Sequence, residues 1–167
     1  MWIELRIKES SSSDFSVRPY DPNDDDVRSI LWDVCQAIGQ RGEFLVSGFG
    51  QDHWPVDVQT DLPVFLEQLP SAIMAVSEGM PTEIEFYEQG IERSITLMLE
   101  GGVYVAACKS SMSTCWQTNS ISEEVDREEL KEMLLAVREV FMRFFADTAP
   151  GLVKHPWIQQ WLKGTSG

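Results

Sequence analysis

The strongest constraint on the fold lies between residues 82 and 108, where alternating apolar and polar runs are interrupted by two tight turn signals. Thr82 to Tyr87 alternates around Ile84 and Phe86. Ile91 to Leu99 alternates around Ile91, Ile95 and Leu97, and Val103 to Cys108 forms a third run. Gln89-Gly90 and Gly101-Gly102 separate them, and connections this short force neighbouring strands to pair antiparallel. A side-chain period of two sends Glu83, Glu85 and Tyr87 to the face opposite Ile84 and Phe86. Glu92, Ser94 and Thr96 join that face by the same parity. Arg93 shares the parity of the apolar set, so it is expected inward or at the sheet edge. The meander therefore reads as a sheet with one face against helices and one acidic face towards solvent.

The flanking segments supply the remaining elements. Met1 to Lys8 alternates apolar and charged residues, which reads as a strand and not as a signal peptide. Residues 10–23 form a polar, turn-rich loop containing Ser10-Ser11-Ser12-Ser13 and Pro19-Tyr20-Asp21-Pro22. Val27, Ile30, Leu31, Val34 and Ile38 recur at helical spacing, with Asp24 to Asp26 at the start and Gly39 at the end. Strands are expected at 43–48 and 54–58, the second at an edge because Pro55 has no amide to donate. A helix from Asp61 carries Leu62, Phe65, Leu66 and Leu69 on one face, with a kink or break at Pro70 and an end at Gly79. Residues 109–121 read as irregular. Asp126 and Glu129 resemble a capping box opening a long helix, 127–147, whose stripe holds Leu130, Met133, Leu134, Val137, Phe141, Phe144 and Phe145. Residues 152–167 read as a short helix opened by Pro156, followed by a tail. The expectation is one α+β domain over residues 1–167: a mainly antiparallel sheet with a central meander, extended by strands 2–8, 43–48 and 54–58. The helices should lie on one face, with the long one across the sheet.

Charge is the second constraint. The chain of 167 residues has 27 Asp and Glu against 13 Lys and Arg, a formal net charge of −14. Small soluble domains are usually comfortable with a magnitude of roughly 2–8, and self-repulsion beyond that costs stability. The acid clusters at Asp24 to Asp26, at Glu83, Glu85, Glu88 and Glu92, and at Glu123, Glu124, Asp126, Glu128, Glu129 and Glu132. A surface of one sign attracts partners of the other. Nucleic acid is disfavoured, because phosphate binding needs a basic face. No apolar run approaches the ~20 residues that span a bilayer. Cys35, Cys108 and Cys115 are odd in number and lack CxxC spacing, which fits reduced thiols in a cytoplasm.

Chemistry-bearing patterns are sparse. The two histidines are His53 and His155. A hydrolase or transferase site would need His53 beside Asp52 and either Cys108 or Cys115, and the spacing alone does not favour it. Asp52, His53 and Asp57 lack the recurring spacing of a tight zinc site, and no motif calls for a cofactor. Glu83 and Glu85 share a strand face, where carboxylates are ordinarily solvated rather than catalytic. Trp54 and Trp116 fall in polar loops and are candidates for a binding surface, whereas Trp157 and Trp161 should cover the core.

The element order and acidic bias resemble the small α+β immunity proteins that protect bacteria from polymorphic or contact-dependent toxins. The residues that prompt the comparison are Phe49-Gly50-Gln51-Asp52-His53-Trp54-Pro55-Val56-Asp57, Glu85-Phe86-Tyr87-Glu88-Gln89-Gly90-Ile91-Glu92-Arg93, and the helix after Trp116. The resemblance implies a cytoplasmic, non-enzymatic inhibitor that occludes the active site of a cognate toxin, often a basic nuclease. It carries over no catalytic residue and no metal or cofactor. The expected contact surface is Glu83, Glu85, Tyr87, Glu88, Glu92, Trp54 and Trp116. The alternatives are the enzyme site around His53 and an adaptor or scaffold subunit whose acid serves solubility.

Overall fold

In a computed structural model that describes residues 1–8, 16–87, 92–110 and 122–164, the three segments of the meander form strands. β3 (Thr82–Phe86), β4 (Arg93–Glu100) and β5 (Val103–Ser110) pair antiparallel in chain order. A fourth strand, β6 (Ser122–Asp126), adds to β5, so β3 and β6 are the two edges among the described residues. Ile84, Phe86, Ile95, Leu97, Tyr104, Ala106 and Val125 are buried on one face.

The amino-terminal strands do not extend this sheet. β1 (Trp2–Ile7) and β2 (Gly42–Ser47) pair antiparallel with each other as a separate two-stranded sheet, burying Ile3, Leu5, Phe44 and Val46. The strand expected at 54–58 is absent. Trp54 donates one backbone bond to the Val46 carbonyl at 2.8 Å, after which Pro55 has no donor. The Asp57 carboxylate then accepts the amides of Gln59 and Thr60, both at 2.7 Å, and turns the chain into a helix.

The helices follow the apolar periodicity. α1 (Val27–Ile38) is capped by Asp26, which accepts from the Arg28 amide, and ends at Gly39 in a positive-φ conformation. Asp25 is engaged elsewhere, by a bidentate contact from Arg18. α2 (Asp61–Glu78) runs without interruption through Pro70, where the sequence predicts a kink or break. Proline cannot donate to the carbonyl four residues earlier, which here belongs to Leu66. The Trp161 indole N–H supplies that bond at 2.8 Å. Trp161 belongs to α5 (Pro156–Trp161), which follows the single turn α4 (Pro150–Val153), and its ring stands edge-on to Phe141. The carboxy-terminal helix thus satisfies a backbone group that α2 leaves unpaired.

α3 (Arg127–Thr148) starts at Asp126, whose carboxylate accepts from the amides of Glu128 and Glu129. Its stripe buries Leu130, Met133, Leu134, Val137, Phe141 and Phe145. Phe144 is only partly covered and lies beneath the Arg41 guanidinium, 5.6 Å from the ring centre. α3 packs against β1 and α2 rather than lying across the meander; α2 covers β3. The helices share one continuous core with both sheets. Among the described residues no helix is long and apolar enough to cross a membrane.

Candidate functional site

The outer face of the four-stranded sheet is assembled in rows by the strand register. Glu85, Ser94 and Lys109 form one row; Glu83, Thr96, Ala107 and Ser122 the next; Met98, Val105 and Glu124 a third. The pleat sends all of these away from the core. The two middle strands therefore present small or apolar side chains together with Lys109, and carboxylates stand on both edge strands. Met98 is 50 % exposed. Among the described residues Glu83, Glu85, Glu92 and Glu124 make no ion pair.

Tyr87 follows β3 and is 54 % exposed, with its hydroxyl donating to the Glu67 carboxylate of α2 at 3.2 Å. Glu92 does not obey strand parity, because it precedes β4 and takes a φ of +43°, outside the extended region. It nevertheless meets Glu85 and Tyr87, together with Arg93, Lys109 and Ser110, around a cleft of about 420 Å³ at the hairpin mouth. Glu88 and Trp116 lie outside the described residues.

Trp54 is the expectation that fails. It is 4 % exposed, 5.6 Å from Phe86 in an edge-on contact and 6.0 Å from Phe49. Arg93 is inward, as parity requires, and its guanidinium lies 4.8 Å from the centre of the Trp54 ring. It also donates to the Gln51 side chain at 2.9 Å. Burial pulls the Arg93 guanidinium below its ordinary value, but an arginine stays charged at such a site. The loop that looks polar in sequence folds inward at Trp54, whose ring packs on Phe49 and Phe86 and gives this buried cation a π face. Trp54 is a core residue that supports the hairpin from beneath and is not a surface anchor.

One carboxylate of the last acidic cluster turns inward. Glu123 pairs with Ala106, on the core side of the edge strand, whereas Glu124 pairs with Val105 on the solvent side. Glu123 accepts from the Met1 ammonium and from the Phe49 amide. Burial acts to raise its pKa, yet these two donors outweigh burial and hold it below the ordinary value. Gly48 makes the arrangement possible: with φ at +127°, a Cβ there would stand 2.9 Å from Met1 Cα and 3.0 Å from the Glu123 carboxylate.

The described residues considered for catalysis are divided between an exposed loop and the core. Asp52 and His53 are exposed in their loop. Cys108 is buried, and burial pushes its thiol up to about 12, away from the thiolate a nucleophile needs. Cys115 lies outside the described residues. Asp57 is committed to the α2 entry, accepting from the Thr60 hydroxyl as well as the two amides. Among the described residues no group of three or more His, Cys, Asp or Glu is placed to hold a metal ion.

The acid on the second edge escapes a reading of the sequence. Ser122 to Asp126 contains a single apolar residue, Val125, which is too little alternation to distinguish a strand from the start of the following helix. Trp32 stands 42 % exposed on the polar side of α1, one turn along from Arg28. Comparison of the chain with protein families, curated proteins and solved structures returns no match.

Proposed function

We propose that this chain is a non-enzymatic, acidic binding protein that captures a basic protein partner, and that the partner is a toxin domain whose active site it occludes. The observation that carries the reading is the outer sheet face, with carboxylates on both edge strands, small and apolar side chains including the exposed Met98 on the strands between them, and the exposed Tyr87 at the hairpin end. An apolar centre inside a polar rim is the usual anatomy of a protein–protein contact. Tyrosine is among the residues that dominate such contacts energetically. The net charge of −14 adds a field that draws a basic partner in, with association rates rising towards ~10⁸ M⁻¹s⁻¹ at low salt.

The test is co-purification with the toxin-like product of an adjacent gene, at low and at high salt. A stoichiometric complex that associates fast at low salt and blocks the toxin's activity supports the proposal. A folded toxin that neither binds nor loses activity at low salt defeats it.

A further inference from the structure

We propose that β3 is an acceptor edge: an extended, Lys- or Arg-bearing segment of the partner adds to its outer side as a further strand, in place of the Gln68 side chain. This rests on the acidic-capture reading above and specifies its geometry.

Among the described residues β3 has a neighbouring strand, β4, on one side only. Its outer side is not bare, and what occupies it is informative. The Gln68 side chain, reaching from α2, accepts from the Glu85 amide at 2.8 Å and donates to the Glu85 carbonyl at 2.8 Å. A primary amide therefore sits where the peptide group of an adjacent strand would sit, satisfying both groups of one residue. Since Glu85 directs its N–H and C=O away from β4, the two-residue period of an antiparallel ladder directs those of Glu83 the same way. Glu83 has no hydrogen bond from that side among the described residues, so the edge presents one rung held by a side chain and one rung open. Gln68 also donates to the Val64 carbonyl within α2 at 2.9 Å.

Edge strands invite pairing unless something prevents it. Here the side chains at both outward rungs are carboxylates, Glu83 and Glu85, exposed on the solvent face. A second copy of this chain pairing antiparallel would bring acid against acid, and like charges directly opposite are unfavourable. A strand with Lys or Arg opposite the same two residues gains from that arrangement. The edge is thus closed to its own kind and open to a basic partner, with main-chain bonds giving affinity and alternate side chains giving selectivity.

The experiment uses the full-length protein, isotopically labelled, at low salt, with two probes: an alternating Lys-Val peptide and the same peptide N-methylated at every residue, which keeps its charge but has no N–H to donate. Strand addition predicts that the parent peptide slows hydrogen exchange of the Glu83 amide at least tenfold, and that the methylated peptide binds at least tenfold more weakly. Equal binding of the two with unchanged Glu83 exchange overturns strand addition while leaving the acidic reading standing. Failure of both peptides to bind overturns the acidic reading and strand addition together. A pair of variants gives an independent check. Glu83→Pro removes the outward N–H without touching the ladder to β4, whereas Glu83→Gln removes only the charge. With β4 amide protection intact in both, the proline variant should bind the parent peptide at least tenfold more weakly than the glutamine variant, and equal binding refutes the edge. The peptide comparison uses the unaltered sequence, so it decides the matter even where the proline variant does not fold.

Discussion

Replacing Trp161 by Phe isolates what the carboxy-terminal helix does for α2. The Leu66 carbonyl lies in a fully buried residue, four positions before Pro70, and the Trp161 indole N–H is its donor at 2.8 Å. Phenylalanine keeps an aromatic ring near Phe141 but has no N–H, so the carbonyl is left buried and unpaired. That costs about 1–3 kcal/mol. For a chain of this size each kcal/mol lowers the melting temperature by roughly 2–4 °C, giving a fall of about 2–12 °C. Area lost on going from indole to phenyl adds to the cost and has to be separated from it. Pro70→Ala does so, because alanine at that position restores a backbone N–H that bonds the Leu66 carbonyl. In the Pro70→Ala background Trp161→Phe should cost only the area term, so a double-mutant cycle read by urea unfolding should give a coupling of about 1–3 kcal/mol. An unchanged urea dependence across the four proteins is required for that comparison. If Trp161→Phe costs the same whether proline or alanine precedes Ser71, the orphaned carbonyl is not why the tryptophan matters.

Reversing Glu85 and Glu92 to Lys should leave thermal stability nearly unchanged, since both lie on the exposed hairpin side, while abolishing salt-sensitive binding of a basic partner; retained binding by the folded double variant removes this face from the mechanism. Glu123→Gln should cost about 1–3 kcal/mol at neutral pH by weakening the bonds from Met1 and Phe49. Because the folded Glu123 carboxyl is held below its ordinary 4.5, its stabilisation is present above that pH and is lost as pH falls through the lower folded value. The two unfolding free energies should therefore converge in acid, and a gap independent of pH refutes the pairing. Asp126→Ala should cost ~1 kcal/mol and fray the start of α3, visible as faster exchange of the Glu128 and Glu129 amides. Cys108 should resist alkylation in the folded protein at neutral pH, and modification at the rate of a free thiol contradicts the burial that pushes it up to about 12.

The parts of the fold that can be read from the chain are those where periodicity lasts. α1, α2 and α3 each keep an apolar stripe for several turns, and the meander alternates over three strands, so their existence, pairing and facing follow from the residues. The parts that cannot be read depend on tertiary choices. Nothing in the alternation of residues 2–7 and 42–47 says whether they join the meander or pair with each other. Pro70 marks a missing hydrogen bond, but whether the helix breaks depends on a donor from Trp161, distant in sequence. Trp54 illustrates the same limit for the site. Its neighbours Asp52, His53 and Pro55 are exposed and make the segment look like surface, while strand parity turns the decisive partner, Arg93, inward without naming its companion.

Part of the excess of acid has a structural role. Asp26 and Asp126 cap helices, Asp57 shapes the entry to α2, Asp25 holds Arg18, and Glu123 receives the Met1 ammonium. These contribute to the folded state through hydrogen bonds to charged acceptors, which are stronger than neutral ones. Glu83, Glu85, Glu92 and Glu124 have no comparable ion-pair or capping role among the described residues. In a chain already at −14 they add self-repulsion. Solubility alone would be served by acid scattered over the surface. Glu83 and Glu85 on β3 and Glu124 on β6 do place acid on the two edges of one sheet, while Asp52, Glu78, Glu132, Glu139 and Asp147 are exposed elsewhere, so the proposed recognition of a basic surface rests on the edge set alone. The strand β6 shows the division within two residues: Glu123 turns in to fasten the amino terminus, and Glu124 turns out to the face that is left charged.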